Sequence, residues 1–292
     1  MKDMASYNPR VLFVYFFAVV FIPMFCQNPI IISLSLLGGV VSCVFSRSLR
    51  GIRPHLYFAL LFTVSAIINP LFYHNGVTVL FFINNNPITL EALFYGLTAS
   101  GMIVAVIYWF RLFTFYFTGD KLLYLLGFVS PKISLVISMA IRFVPLFVNQ
   151  AKKINNSQKA LGLYKEDNAV DTVRGKVRIF SALTSWGLEN GIITADSMAS
   201  RGYGITKRSF YSRYVLDKRD FFLLVLSVLL FGFTLSAVLA GALDFNFYPE
   251  ILPPKTIPLS AAAYLSYFLL VALPVLFEAG ERIKWKYLVS KI

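Results

Sequence analysis

The sequence predicts an all-α, polytopic membrane protein of about six transmembrane helices, with long amphipathic cytoplasmic helices inserted late in the chain. Three observations predict it. The 292 residues are 58% hydrophobic and only 14% charged, with a mean hydropathy of +0.70, well outside the range of soluble domains. Uncharged runs recur at the length a bilayer demands, about 20 residues each. The formal charge of +13 is distributed almost wholly to one side of those runs.

The elements follow in order. No residue from Val11 to Ser46 is charged, and the turn chemistry of Cys26-Gln27-Asn28-Pro29 divides the run into spans at 11–26 and 29–45, a helical hairpin. Cys26 and Cys43 fall near opposite ends of these two helices, which argues against a disulfide or metal site and for small core residues. The first apolar run starts after Arg10 and is followed closely by a second, with no small-x-small cleavage site between, so a retained N-terminus is expected. A basic patch with Arg47, Arg50 and Arg53 follows. The next uncharged run, His55 to Leu90, is too long for one span. It divides into a span at 56–72 ending near Asn69-Pro70, a segment rich in Asn, Gly and Pro, and a fourth span at 88–110. Between Arg111 and Asp220 charges recur every few residues, which places that block in water or at the membrane surface. Spans at 221–243 and 258–277 and a basic tail close the chain. The organisation is thus 1–110 (four spans), 111–220 (cytoplasmic helices) and 221–292 (two spans and tail).

With the N-terminus inside, 26 of the 27 Lys and Arg residues lie on the inner side and only Lys255 lies outside. That asymmetry is a cytoplasmic retention signal, and it removes nucleic acid as the explanation of the positive charge. The expected location is therefore a bacterial-type cell membrane, with both termini cytoplasmic.

The segment from Lys176 places Val177, Phe180, Leu188, Ile192, Ala195 and Met198 in one row, with polar residues opposite. This spacing defines an amphipathic helix of about seven turns. Gly202 stops it, and Arg201 suits the negative end of the helix dipole. Gly187 and Gly191, four apart, would let another helix approach closely. Upstream, the segment from Pro131 carries Arg142 and Pro145 in an apolar stretch, turns polar after Asn149 and ends at Gly162. Two helices therefore end in a small residue, any residue and Gly: Ala160-Leu161-Gly162 and Ser200-Arg201-Gly202. Each tip reads either as an ordinary helix cap or as a docking tip that uses small residues for close approach and a guanidinium for a carboxylate.

With these tips on the page, the sequence resembles the transmembrane T component of energy-coupling factor (ECF) transporters, a branch of the ATP-binding-cassette importers. The matching pieces run in order: NPLFYHNG at 69–76, ITLEALFYGL at 88–97, SMAIRFVPLF at 138–147, QKALG at 158–162, SWGLEN at 185–190 and ADSMASRGYG at 195–204, with Pro274 and Glu278 before the basic tail. The resemblance implies a non-enzymatic subunit whose crossed coupling helices each insert an Ala-Arg-Gly-like tip into one of two ABC-type ATPase subunits. It also implies a membrane-embedded substrate-binding S component, with vitamins or transition-metal ions as the imported classes. Ser200, Arg201 and Gly202 match the second tip, with Arg201 as the ion-pairing residue. Ala160, Leu161 and Gly162 match the first, but leucine replaces arginine, and Lys159 or Lys165 nearby cannot reproduce a planar fork. That departure fits two non-identical ATPase subunits. ATP and Mg belong, on this resemblance, to the partners.

The residues agree with a non-catalytic role. No G-x-x-x-x-G-K-[ST] is present, since Gly175-Lys176 is followed by Val177. His55 and His74 fall on loops expected on opposite sides of the membrane, so no metal cluster is expected. Glu91 lies one turn inside the outer end of a span, where snorkelling or capping with Thr89 explains it. Arg142 can pair with an acid in the bundle or mark the membrane surface, and the surface is favoured; with Pro145, Gly187 and Gly191 it is counted among the residues expected at the packing of the coupling helices. The competing class is a secondary transporter that binds solute among its own helices, which calls for intramembrane charges or broken helices in repeated halves. A lipid-acting membrane enzyme would need an interfacial carboxylate or histidine cluster, and none is seen.

Overall fold

Two Asn-Pro steps start the first two membrane helices. In the computed structural model, which describes residues 4–46, 48, 51–73, 76–83, 86–163, 169–205, 214–249, 251–252, 254 and 257–289, Asn8 Oδ1 accepts from the Arg10 N–H at 3.1 Å and Asn28 Oδ1 from the Ile30 N–H at 3.0 Å. Each proline then opens its helix at the position where a missing N–H is harmless. The elements in chain order are α1 (Pro9–Phe25), α2 (Pro29–Phe45), α3 (Arg53–Phe72), β1 (Val79–Ile83), β2 (Asn86–Thr89), α4 (Leu90–Tyr116), α5 (Gly119–Val129), α6 (Pro131–Ala160), α7 (Ala169–Ser200), α8 (Lys218–Leu239) and α9 (Ile257–Val289). The chain divides into two units. Unit 1 comprises Met1–Leu122 with Tyr214–Ile292, and unit 2 comprises Leu123–Arg213.

The all-α expectation holds, with one small addition and shifted boundaries. The breaker-rich segment before α4 forms an antiparallel ribbon that pairs Val79 with Thr89 and Ile83 with Asn86. Ile88 and Thr89, expected in the fourth span, therefore belong to a strand. Helix α4 also runs on past 110 through exposed Arg111 to Tyr116. The expected tail after 277 continues α9 to Val289, and the amphipathic helix expected from Lys176 begins earlier, at Ala169.

Helices α3, α4, α6, α8 and residues 258–280 of α9 are long and apolar enough to cross a membrane, while α1 and α2 are apolar but shorter at 17 residues each. Helix α6 was not expected in that set. Its first half has Lys132 and Arg142 as its only charges before Lys152, and long cationic side chains can reach an interface from within an apolar helix. A reading that asks for a charge-free window passes over such a helix.

Within unit 1, α4 packs against α1, α2 and α3, and α9 packs against α2 and α8. The packing depends on small residues and aromatic donors. The glycine pair of α2 brings its backbone up to both neighbours: a Cβ at Gly38 would overlap Val271 of α9, and one at Gly39 would lie 3.1 Å from Tyr108 Cβ of α4. The fully buried Trp109 indole N–H donates to the Ser35 carbonyl and hydroxyl, each at 3.1 Å. Tyr15 of α1 donates to the Leu270 carbonyl of α9, and Tyr267 of α9 donates back to the Val19 carbonyl of α1, both at 3.1 Å. Thr234 and Ser266 hydroxyls join α8 to α9 at 2.8 Å. Cys26 and Cys43 are buried and free, as expected. Arg47, Arg50, His74, Lys165 and Lys255, which entered the sequence reading, lie outside the described residues.

Gly38→Val forces a branched side chain into Val271 and separates α2 from α9. The expected loss is about 1–3 kcal/mol from overpacking, seen as a lowered Tm of the detergent-solubilised protein. An unchanged Tm would mean that this seam is looser than its glycines require.

Candidate functional site

Both expected tips lie in unit 2, and their backbones close in the same way. At the end of α6 the Gly162 N–H donates to the Lys159 carbonyl at 3.0 Å and the Leu163 N–H to the Gln158 carbonyl at 3.2 Å. At the end of α7 the Gly202 N–H donates to the Ala199 carbonyl and the Tyr203 N–H to the Met198 carbonyl, both at 3.0 Å. These are two Schellman motifs, in which the residue after the cap must turn left-handed. Gly162 (φ 64°) and Gly202 (φ 78°) supply that turn, and Gly204 (φ 93°) adds a second reversal two residues on.

The side chains on this shared frame differ. Ala160, Leu161, Ser200 and Arg201 are all exposed, Leu161 at 73%. Position by position, an apolar isobutyl group on one tip stands where a guanidinium stands on the other.

Helices α6 and α7 meet well back from their tips. A Cβ at Gly187 would lie 2.6 Å from Phe147 Cζ, and Phe147 packs edge-on against Trp186 with ring centroids 5.4 Å apart. Around Gly191 nothing lies within 4 Å of where a Cβ would be. The close approach is therefore made at Gly187, beside the aromatic pair and next in the chain to Trp186. From Phe147 to Gly162 and from Gly187 to Gly202 the chain covers fifteen positions, so each arm extends about 22 Å at 1.5 Å per residue. Arg142 and Pro145 are exposed on α6.

The apolar row of α7 finds no cover in the described structure. Val177, Phe180, Leu188 and Ile192 are each more than 60% exposed. A stripe of this size on a surface helix marks a membrane or protein contact.

Glu91, the acid weighed from sequence, serves the β1–β2 ribbon. Its Oε1 accepts from the Thr78 N–H at 3.2 Å and from the Thr78 hydroxyl, while Thr89 caps α4 through the Ala92 N–H at 3.3 Å. Among the described residues its Oε2 is buried without a hydrogen-bond partner. His55 sits beside the Tyr108 hydroxyl at 3.0 Å. Among the described residues no three His, Cys, Asp or Glu side chains are grouped to hold a metal ion.

Sequence reasoning missed a set of polar contacts at one end of unit 1. The Tyr116 phenol of α4 donates to the Glu278 carboxylate of α9, and its oxygen lies 2.8 Å from the Ser46 hydroxyl. The buried Lys121 ammonium donates to the Tyr116 carbonyl at 2.9 Å, and its burial lowers its pKa below the usual lysine range. Asp220 accepts from the Asn8 and Asp217 N–H groups, and Asn8 Nδ2 donates to the Tyr214 carbonyl at 3.1 Å. The sequence signal for part of this was present: Asp217 and Asp220 have capping-box spacing at the start of α8.

Comparison with known proteins was informative. A family model described as cobalt transport protein (CbiQ) matches residues 5–211. Relatives bearing the name energy-coupling factor transporter transmembrane protein EcfT include one from Streptococcus equi subsp. equi, 26% identical over 224 residues, covering 70% of this chain and 82% of that protein. Another, from Streptococcus thermophilus, is 32% identical over 106 residues, covering 36% of this chain and 40% of the relative. A third, from Lactobacillus helveticus, is 33% identical over 106 residues, covering 34% and 38%. The chain thus spans about two fifths of the Streptococcus thermophilus and Lactobacillus helveticus relatives in these alignments.

Two substitutions separate the close contact from the open position. Gly187→Leu collides with Phe147, and an overpacking cost of about 1–3 kcal/mol is expected. Gly191→Ala meets nothing and gains about 0.5–1 kcal/mol from helix propensity. Limited proteolysis of residues 123–213 checks both: cleavage should accelerate in the first variant and not in the second.

Proposed function

The chain belongs to the cobalt transport protein family, and from that premise we propose that it is the membrane-embedded coupling component of an energy-coupling factor importer, passing ATP-driven motion of two ATPase subunits to a substrate-binding S component. The family membership bears out the resemblance carried by the sequence motifs. The observation that carries the coupling role is the pair of identical Schellman tips, each fifteen positions beyond one shared crossing at Phe147 and Gly187.

That geometry suits two levers of equal length. A helix transmits displacement along its axis because its backbone is hydrogen-bonded throughout. Packed aromatic rings at the crossing make the two arms move together. At the α7 tip, Arg201 offers a planar fork to a carboxylate on an ATPase surface, with small Ser200 and left-handed Gly202 allowing close approach. Leu161 offers an apolar contact at the other tip, so the two ATPase surfaces differ or one tip docks without an ion pair. ATP and Mg are bound by those partners, and this chain performs no chemistry. The uncovered row of α7 and the exposed face of α3 supply apolar surface for the bilayer and the S component. Two described grooves of unit 1, one lined by Tyr57, Leu60, Leu61, Val64, Ser65, Ile68 and Ile103 and the other by Phe13, Phe17, Phe21 and their neighbours, are almost wholly apolar. Such walls suit acyl chains or a partner helix better than a polar solute, which weighs against a secondary transporter. Substrate choice, a vitamin or a transition-metal ion, rests with the S component.

Co-purification tests the docking role. Arg201→Glu should reduce ATPase recovered with the tagged protein at least about tenfold, because it sets like charge against the partner carboxylate. Recovery equal to wild type would return Arg201 to a helix-capping residue. Orientation is tested separately. With both termini inside, Asp244→Cys should react with a membrane-impermeant maleimide in intact cells and Asn156→Cys should not; the reverse pattern would invert the topology.

A further inference from the structure

Unit 2 is an insertion: the chain leaves unit 1 after Leu122 and returns at Tyr214. Both crossings are fastened inside unit 1, and the fastenings form one chain of contacts. On the way out, Phe117 and Thr118 alone separate α4 from α5, and Thr118 O accepts from the Lys121 and Leu122 N–H groups at 3.0 and 3.1 Å. Buried Lys121 holds the Tyr116 carbonyl, and the Tyr116 hydroxyl joins Ser46 at the end of α2 to Glu278 of α9. On the way back, the Tyr214 carbonyl is held by Asn8, whose own N–H meets Asp220 of α8 at 3.4 Å. The two fastenings are joined by neighbours: Tyr7, next to Asn8, packs on Phe277, next to Glu278, with ring centroids 5.7 Å apart.

We propose that this collar, Lys121-Tyr116-Glu278 continued through Phe277 and Tyr7 to Asn8 and Asp220, is the element that carries displacement of unit 2 into the membrane helices. The inference rests on the coupling role proposed above. Displacement arriving along a chain segment is lost if the segment is slack, and it is passed on only if the segment is fixed to what must move. Here each crossing is fixed on the unit 1 side by buried and half-buried hydrogen bonds, and the fixed points lie on or at the caps of α1, α2, α4, α8 and α9. Tyr116 and Glu278 are the positioning residues at its centre. The phenol reaches the cap of α2 and helix α9 at once, and losing either partner leaves a polar group unmet in a half-buried site.

The experiment uses the full chain co-purified with its ATPase subunits in lipid nanodiscs. Environment-sensitive fluorophores are attached through Val64→Cys on α3, or through Ile192→Cys on α7; both positions are exposed. In the wild-type background a non-hydrolysable ATP analogue should shift the signal at both. In Tyr116→Phe and in Glu278→Gln the shift at 192 and the ATPase recovery should persist while the shift at 64 falls roughly fivefold. Thr234→Val, which removes a hydrogen bond between α8 and α9 away from the crossings, should leave both shifts intact. A full shift at 64 in the collar variants, or an equal loss in Thr234→Val, would overturn the inference while the coupling role stands. Absence of any nucleotide response at 192 in wild type, or of ATPase recovery, would overturn the coupling role itself and the collar with it.

Discussion

Unit 1 depends on one constraint above others: a phenol or indole buried between membrane helices has no water to turn to and must find an acceptor on the facing helix. The helices' own carbonyls supply it. Tyr15 and Tyr267 do this reciprocally across α1 and α9, each donating into the other helix's backbone at 3.1 Å. Trp109 does it from α4 into α2 at Ser35. Each such bond adds only about 0.6 kcal/mol on average, so the contribution to stability is modest. The contribution to uniqueness is larger. A carbonyl already engaged in its helix can accept a second donor only at one register, and sliding α1 past α9 by a turn would orphan two hydroxyls together. The glycines of α2 then let backbones approach closely enough for these long side chains to reach.

The fold class, the helical hairpin at the N-terminus and the two glycine-stopped tips were legible in the sequence, because each is written in local chemistry: Asn-Pro starts, uncharged runs, and a glycine wherever a left-handed residue follows a helix. The crossing was half legible. Gly187 and Gly191 are equivalent in spacing, and only the position of Phe147 on another helix separates the one that is covered from the one that is open. Helix α6 was left out of the expected spans for a different reason, since a single arginine breaks a charge-free window without preventing a long apolar helix from forming. The collar was invisible for the deepest reason. Tyr116 and Glu278 are 162 positions apart, as Asn8 and Asp220 are 212 apart, and no pattern along the chain pairs them.

The two tips show how backbone and side chain divide a task. Schellman closure is indifferent to the residue at the cap position, since its bonds run from the glycine and the residue after it to carbonyls one turn back. Leu161 and Arg201 can therefore occupy one geometry while offering opposite chemistry. The chemistry a tip presents can change with that one side chain alone, while the backbone closure behind it is untouched. This separation explains how a departure from the expected arginine at Leu161 coexists with an intact tip.

Exposure means different things in the two units. On α3 the exposed apolar side chains lie along the broad side not packed against α4, on a helix whose length and composition fit a bilayer, and lipid satisfies such a side without a polar boundary. On α7 they lie in one row, with Arg178, Glu189 and Asp196 among the polar residues of the other faces. Such a helix is satisfied neither in water nor in hydrocarbon. It requires a boundary, either the membrane surface or another protein. Along its other side α7 is held to α6 where Gly187 meets Phe147 and Phe147 packs on Trp186, so the apolar row is left for that boundary.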